Sequence, residues 1–279
     1  MTLAGEAGWP RATLDADYTA RDCVTAAEFA RIIGDYSRLT DAARSMAGVQ
    51  LDLSYGEGLT LDLYGAAPDR PRPVFVFLHG GYWRALSKGA SGFMAPMLAA
   101  QGIACAVPDY TLAPAASLTE ITRQCRAAVA SLWRNAPALG IDRSRIVVGG
   151  SSAGGHLAAM LALGGWQAGF GLPPDAIRAA LPVSGLYDLA PIAACHPQDW
   201  LHLTRAEVAA LSPIRHPPET RIVPACASTE TPGFHRQSEA YAHATRAPLL
   251  TIAGRNHFDV ILDLTDPDTV LSRTLLSFY

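Results

Sequence analysis

Short, continuous apolar runs recur along the 279-residue chain and constrain its fold more than any other feature. They are VFVFL (74–78), IACAV (103–107), RIVVG (145–149), IRAALPVSG (177–185), RIVPACA (221–227) and APLLTIAG (247–254). Such runs are typical of strands that are covered on both faces. Most of the intervals between them are long enough for a helix. The alternation predicts an α/β fold with a mainly parallel central sheet and helices on both faces.

Three further segments complete the predicted organisation of one domain, residues 1–279. Residues 1–47 carry apolar residues at helical spacing in their second half, which indicates an N-terminal helical segment. VQLDLSY and GLTLDLYG (49–65) alternate apolar and polar residues around two glycines, the pattern of a hairpin. Residues 186–218 are long and irregular enough to form a small cap over the edge of the sheet where ligands bind.

Composition excludes several classes of function. Apolar residues make up 49% of the chain, the net charge is -3, and no Lys/Arg-rich run exists, so nucleic acid is excluded as a partner. No stretch of about 18 apolar residues could cross a bilayer, and the N-terminus does not resemble a secretory signal. The five scattered cysteines predict neither a metal site nor a disulfide framework. We therefore expect a cytoplasmic protein with a small-molecule substrate and no membrane partner; a homodimer is an open alternative.

The sequence Gly150-Ser151-Ser152-Ala153-Gly154 follows the RIVVG run and precedes a helix-like segment. Glycines two positions before and after Ser152 permit a sharp strand-to-helix turn that exposes the serine, whereas Ser151 is not centred between them. A serine hydroxyl becomes an effective nucleophile when a neighbouring base takes its proton. We predict Ser152 as a nucleophile; the alternative is a glycine-rich turn that ends a strand.

The sequence HGGYW (79–83) directly follows the VFVFL run. Glycines let the backbone approach the oxyanion that forms when an ester or amide is hydrolysed, and backbone N–H groups stabilise that charge. We predict an oxyanion hole formed by the N–H groups of Gly81, Tyr82 and Ala153. The alternative is an ordinary turn after a strand, and for the ring of His79 a structural role is favoured.

His257 is the candidate general base among the eight histidines. It follows the last predicted strand on a short loop, at the edge of the sheet where the nucleophile lies. When a nucleophilic serine follows a strand in this way, the acid and then the histidine come later in the chain. His156 is assigned a packing role on the helix after the nucleophile. Five others are expected at the surface, on the cap or on a helix: His196, His202, His216, His235 and His243.

Two carboxylates are candidates for the acid that orients the histidine. Glu230 follows the strand next before that of the histidine, and chain order therefore favours it. Asp188, which follows the IRAALPVSG run, is the alternative. Each also precedes a predicted helix, where an acidic side chain interacts favourably with the helix dipole.

These motifs resemble those of the α/β-hydrolase superfamily, and of its kynurenine formamidase (arylformamidase) branch in particular. The resemblance covers most of the chain and rests on HGGYW, PDYTLAP (108–114), SSAGGHLAAML (151–161), SGLYDLAPI (184–192), ETPGFHRQS (230–238) and NHFDVILDL (256–264). It implies the α/β-hydrolase fold, a triad of Ser152, Glu230 and His257, and hydrolysis of N-formyl aryl amines or small esters without metal or cofactor. The chain departs from the pattern at Ser151, where relatives carry a larger polar residue, and at Glu230, where the better-known formamidases have Asp.

The sequence thus predicts an enzyme that cleaves a small acyl group, formyl included, from an aryl amide or ester. The alternatives are a short-acyl carboxylesterase and a catalytically inactive hydrolase fold used for binding. Trp83 and Phe258 are candidate substrate-binding rings beside Tyr82, with core packing as an equal alternative. Arg84 and Arg255 either meet a substrate carboxylate or lie solvated at the surface, and the second role is favoured.

Overall fold

A computed structural model describes residues 3–279 and shows a single nine-stranded sheet within them. The strands are β1 (Gln50–Gly56), β2 (Leu59–Tyr64), β3 (Arg72–Leu78), β4 (Ala104–Pro108), β5 (Ile141–Ser151), β6 (Ala179–Val183), β7 (Arg221–Ile222), β8 (Ala225–Thr229) and β9 (Leu250–Asn256). Their order is β1-β2-β4-β3-β5-β6-β8-β9, with β7 paired to β6. β2 is antiparallel to β1 and β4, and all other pairs are parallel. The prediction of a mainly parallel sheet is confirmed.

Ten α-helices accompany the sheet in the described residues. They are α1 (Arg11–Tyr18), α2 (Ala26–Ala43), α3 (Ala95–Ala100), α4 (Leu118–Leu139), α5 (Ala153–Leu161), α6 (Leu189–Ile192), α7 (Gln198–Leu201), α8 (Arg205–Ala210), α9 (Pro232–Thr245) and α10 (Val270–Leu276). The helix predicted near residue 26 begins at a capping box. There the Glu28 N–H donates to the Thr25 hydroxyl at 3.2 Å and the Thr25 N–H donates to Glu28 Oε2 at 2.9 Å. None of the helices among residues 3–279 has the length and apolar character needed to cross a bilayer.

The two faces of the sheet are buried in separate hydrophobic cores, which explains the continuous apolar runs. Along β3, Val74, Val76 and Leu78 point into one core, and Phe75 and Phe77 point into the other. Helices α4, α5 and α9 cover the first core, and α2, α3 and α10 cover the second. A strand between two helical layers has no solvent face, so alternation of polar and apolar residues is absent from it.

The apolar run at 221–227 differs from its prediction as one strand. The structure divides it into β7, which pairs with β6, and β8, which pairs with both β6 and β9. Pro224 lies between the two strands. Proline has no N–H to donate to a strand ladder, so the pairing is interrupted there.

The N-terminal segment and residues 186–218 both lie over the carboxyl edge of the sheet. The 186–218 segment contains α6, α7 and α8, and residues from both segments line one pocket together with Ser152. The ion pair between Arg11 Nη2 and Asp199 Oδ2, at 2.6 Å, joins α1 to α7. The carboxyl edge is thus covered from two distant parts of the chain.

Candidate active site

Ser152 lies in a strained turn between the end of β5 and the start of α5. Its backbone angles are φ 58° and ψ -119°, a combination that residues other than glycine rarely adopt. The Ser152 N–H donates to the carbonyl of Val183 at the end of β6, at 2.9 Å. Such strain persists when neighbouring contacts hold the backbone in place. The turn therefore presents the serine at the carboxyl edge of the sheet, where the sequence predicts it.

Gly150 and Gly154 are required by the close approach of other backbone segments to this turn. A Cβ atom at Gly154 would lie 1.9 Å from the Leu78 carbonyl oxygen. A Cβ atom at Gly150 would lie 2.4 Å from the carbonyl oxygen of Gly154. The spacing of the two glycines around the serine thus follows from steric exclusion on both sides of the turn.

The HGGYW loop packs its backbone directly against the Ser152 turn. A Cβ atom at Gly80 would lie 3.3 Å from Cβ of Ser152, and one at Gly81, whose φ is +93°, would lie 2.3 Å from the Ala85 carbonyl oxygen. Tyr82 also has a positive φ of 50°. Within residues 3–279, the amides of Gly81 and Tyr82 donate to no protein acceptor. Both N–H groups remain available to a ligand oxygen.

His257 and Glu230 are brought together by the loops after β9 and β8. His257 Nδ1 lies 3.2 Å from Glu230 Oε2, and the two side chains are 3% and 0% exposed. The other carboxylate oxygen, Oε1, accepts hydrogen bonds from the Ser184 hydroxyl and, at 2.7 Å, from the Ala227 N–H. Burial raises the pKa of Glu230, but the hydrogen bond and charge of His257, together with these two donors, outweigh burial and lower the pKa. Glu230 is therefore held as a carboxylate against the imidazole.

The alternative acid, Asp188, has a structural position instead. It is the N-cap residue of α6, where Oδ1 accepts from the Ala190 N–H at 3.1 Å and Oδ2 accepts from the Leu3 N–H at 2.9 Å. Arg215 Nη2 lies 3.5 Å from Oδ1. Asp188 thus anchors the N-terminal segment to α6, and it does not contact His257.

Ser152 and His257 line the same pocket, which has a volume of about 360 Å³. Aromatic side chains form much of the pocket wall. They are Phe29, Tyr36, Phe77, Tyr82, Phe93, Trp200 and Phe258. Arg21 and Arg84 also line it, and no carboxylate does so within residues 3–279. The Arg21 guanidinium lies 4.1 Å from the centre of the Phe29 ring, and that of Arg84 lies 4.3 Å from the centre of the Trp200 ring. The pocket therefore suits an apolar or aromatic ligand without positive charge.

The two predicted substrate-binding rings have different environments. Phe258 lines the pocket, and its ring contacts those of His257 and Phe29 edge to face. Trp83 is 0% exposed and packs in the core against the ring of His156. For Trp83 this position agrees with the alternative of core packing and not with contact to substrate.

The arginines and histidines around the site also separate into pocket and framework residues. Arg255, unlike Arg84, lies outside the pocket and pairs with Asp263 at 2.7 Å. His196, expected at the surface, lines the pocket beside Trp200. His79 also lines the pocket, although it is only 1% exposed, and its Nδ1 lies 3.0 Å from the Gly80 carbonyl oxygen, a contact within the loop.

One group of three side chains brings possible metal-ligating atoms close together. Those of Asp15, Cys195 and His196 lie within 4.8 Å of one another, the only such group in residues 3–279. Asp15 Oδ1 accepts from the His196 N–H at 2.6 Å, and Arg11 Nε lies 3.4 Å from Oδ2. These contacts already account for the position of the carboxylate. All five cysteines are free thiols, and four of them are buried.

Comparisons with known proteins identify the family. Residues 61–200 match the model of the BD-FAE family. A kynurenine formamidase of Salmo salar is 33% identical over 85% of this chain and 84% of its own length, and one of Danio rerio is 32% identical over the same shares. A solved structure from Silicibacter sp. tm1040, whose assignment as a thioesterase is provisional, is 29% identical, with a TM-score of 0.81 over 93% of this chain and 97% of that one. The chain therefore belongs to the BD-FAE family, adopts the α/β-hydrolase fold and is a hydrolase, with kynurenine formamidases among its homologues.

Proposed function

We propose that the chain is a serine hydrolase in which Ser152 is the nucleophile, His257 the general base and Glu230 the acid that orients the base. One observation carries the proposal: the His257 ring, held through Nδ1 by Glu230, lines the same pocket as the strained Ser152 turn. A carboxylate that accepts a hydrogen bond from Nδ1–H fixes the proton on Nδ1 and leaves Nε2 as the nitrogen that takes the serine proton. The same carboxylate stabilises the imidazolium that then forms.

The reaction is acyl transfer in two halves. Ser152 Oγ attacks the carbonyl carbon of the substrate while His257 takes its proton, and the N–H groups of Gly81, Tyr82 and Ala153 stabilise the resulting oxyanion. The bond to the leaving amine or alcohol breaks as His257 returns the proton to that group. Water, deprotonated by His257, then attacks the acyl-enzyme. The bond between the acyl carbon and Ser152 Oγ breaks as His257 returns that proton to Oγ, which releases the carboxylic acid and regenerates Ser152. Each step uses only groups of this chain, substrate and water.

The proposed substrate is an aryl amide or ester that carries a small acyl group, such as formyl. Homologues named kynurenine formamidase share a third of their residues with this chain over most of both lengths, which supports this class. The seven aromatic rings that line the pocket provide contact area for an aryl leaving group. Arg21 and Arg84 give the pocket positive charge, and none of its lining residues in the described part of the chain is a carboxylate.

A short-acyl carboxylesterase activity is the second candidate. It is favoured by the 29% identical structure with a provisional thioesterase assignment, because esters and thioesters use the same acyl-transfer groups as amides. Turnover of N-formylkynurenine and of p-nitrophenyl acetate separates the two candidates. A kcat/KM that favours the ester by orders of magnitude would assign the enzyme to the carboxylesterases.

A fluorophosphonate probe tests the nucleophile directly. We expect covalent labelling of the wild-type protein and none of Ser152→Ala. Ser151→Ala, which removes the neighbouring hydroxyl, should still be labelled. An unlabelled wild-type protein, or undiminished labelling of Ser152→Ala, would support the inactive binding scaffold instead.

A further inference from the structure

Ser184 is a buried residue next to the proposed triad that none of the catalytic roles above employs. It follows β6 and is 0% exposed. Its hydroxyl donates to Glu230 Oε1, the oxygen that also accepts the Ala227 N–H at 2.7 Å. With Oε1 held by these two donors, Oε2 is the oxygen that faces His257 Nδ1, at 3.2 Å. The rotation of the carboxylate group is thus determined by contacts on both of its oxygens.

The backbone at Ser184 is strained, which argues that its side chain has a role of its own. Its φ is 50°, in the left-handed region that glycine adopts without steric cost and serine rarely adopts. The Ser184 N–H donates to the Ala225 carbonyl at 2.7 Å, so the backbone position is held by β8 whatever the side chain is. Glycine would satisfy this backbone equally well. The hydroxyl is what serine adds at the position.

The end of β6 also reaches the nucleophile. The carbonyl of Val183, the residue before Ser184, accepts the N–H of Ser152 at 2.9 Å. Two consecutive residues therefore contact the turn that carries Ser152 and the carboxylate that orients His257. Ser184 itself does not line the pocket, so it has no direct contact with a bound substrate.

We propose that Ser184 is a positioning residue, which holds the Glu230 carboxylate in the orientation that directs His257 toward Ser152. This inference rests on the proposed serine-hydrolase function. It assigns Ser184 no contact with substrate and no proton to transfer. Its hydroxyl acts through Glu230, and its effect is expected in the rate of acyl transfer rather than in substrate binding.

Ser184→Gly is the most informative variant, because it removes the hydroxyl and relieves the backbone strain together. A hydrogen bond to a charged group is worth enough to change kcat by about 10- to 100-fold when it is lost in the transition state. We expect kcat to fall within that range, KM to stay unchanged, and Tm to lie above that of Ser184→Ala, because glycine relieves the backbone strain. Ser184→Ala, which lacks the hydroxyl but keeps the strain, should lose the same kcat with a lower Tm.

A double-mutant cycle with Glu230→Gln separates positioning from a general structural role. If Ser184 acts through Glu230, Ser184→Gly should cost no further kcat in the Glu230→Gln background. Equal losses in both backgrounds, or full kcat in Ser184→Gly, would overturn the inference. Ser152→Ala, measured alongside, tests the proposed function separately: if it is inactive while Ser184→Gly retains full kcat, only the role of Ser184 is wrong.

Discussion

Arg236 on α9 and Glu6 near the N-terminus form an ion pair, with 2.7 Å between Arg236 Nε and Glu6 Oε1, although the Glu6 side chain is only 7% exposed. Arg236 Nη2 also lies 2.6 Å from Asp17 Oδ2 on α1. Helix α9 begins two residues after Glu230, and the chain after α1 supplies Thr19, Ala20 and Arg21 to the pocket. The two ion pairs thus connect α9, which follows the proposed acid, to the N-terminal segment, which forms one wall of the pocket.

Arg236→Ala should loosen this wall. Removal of one partner of a fully buried pair costs roughly 3–5 kcal/mol, and because Arg236 is 26% exposed we expect a smaller loss of stability, about 2 kcal/mol. We also expect a higher KM and faster hydrogen exchange in residues 3–24. Arg123→Ala is the matched control, since its pair with Glu120 is 55% and 38% exposed and should contribute little. Equal effects of the two variants would contradict this role of Arg236.

Glu230→Gln should lower kcat by about 10⁴-fold with little change in stability, because the amide cannot hold the imidazole tautomer and stabilise its charge. Asp188→Asn should do the reverse. It weakens the cap of α6 and the contacts with Leu3 and Arg215, and should leave kcat near that of the wild type. Steady-state kinetics and thermal unfolding of both variants check this. A large kcat loss in Asp188→Asn, with an active Glu230→Gln, would reverse the assignment of the acid.

Phe258→Ala and Trp83→Ala should affect different quantities. Phe258 lines the pocket, and its truncation should raise KM with a modest effect on stability. Trp83 is fully buried, and its truncation should lower the free energy of unfolding by about 3–5 kcal/mol because a cavity is left in the core. A raised KM in a stably folded Trp83→Ala protein would argue that the ring contacts substrate after all.

Stability should fall with acid between about pH 6.5 and pH 4 because of two buried histidines. Burial lowers the pKa of His79 and of His156 to about 4, while an unfolded chain takes up those protons near pH 6.5. Within this window the unfolded state binds more protons, so stability present above it is lost as the pH falls, by about 3 kcal/mol for each histidine. Urea unfolding across the range checks the slope. His156→Gln should roughly halve that slope, since one of the two buried histidines is then removed.

Gly154→Ala should prevent normal folding of the nucleophile turn, since a methyl group there would lie 1.9 Å from the Leu78 carbonyl oxygen. Gly34→Ala is the contrasting variant. Gly34 lies exposed within α2 with nothing within 4 Å of a Cβ atom, so alanine should stabilise the protein by about 1 kcal/mol. Thermal unfolding of both variants provides the measurement. A stable, active Gly154→Ala protein would show that the turn is less crowded than described.

The sheet was predictable from the sequence because strands buried on both faces leave a local signal, the continuous apolar run. The Ser152 turn was predictable for a similar reason, since steric exclusion at Gly150 and Gly154 fixes their spacing from the serine. Division of the 221–227 run was missed, although Pro224 was visible as the residue that interrupts the strand.

The walls of the pocket were less accessible to sequence reasoning. Phe29 and Tyr36 lie on an amphipathic helix more than a hundred residues before Ser152, and nothing local separates a ring in the core from one facing a pocket. For the same reason the sequence left substrate contact and core packing as equal alternatives for Trp83, whose ring lies in the core. The contact of Ser184 with Glu230 joins the loops that follow two neighbouring strands, β6 and β8, and has no signature in the spacing of residues.

Coverage of the carboxyl edge by two separate segments gives this fold a modular character. The groups proposed to carry out acyl transfer are attached to the ends of β5, β8 and β9, whereas Phe29 and Trp200 belong to peripheral segments outside the sheet. Exchange of residues 1–47 or 186–218 between homologues would therefore reshape the reactant cavity while the reaction apparatus stays intact. Substrate selectivity can therefore change through exchange of these two segments while the residues proposed for catalysis stay the same.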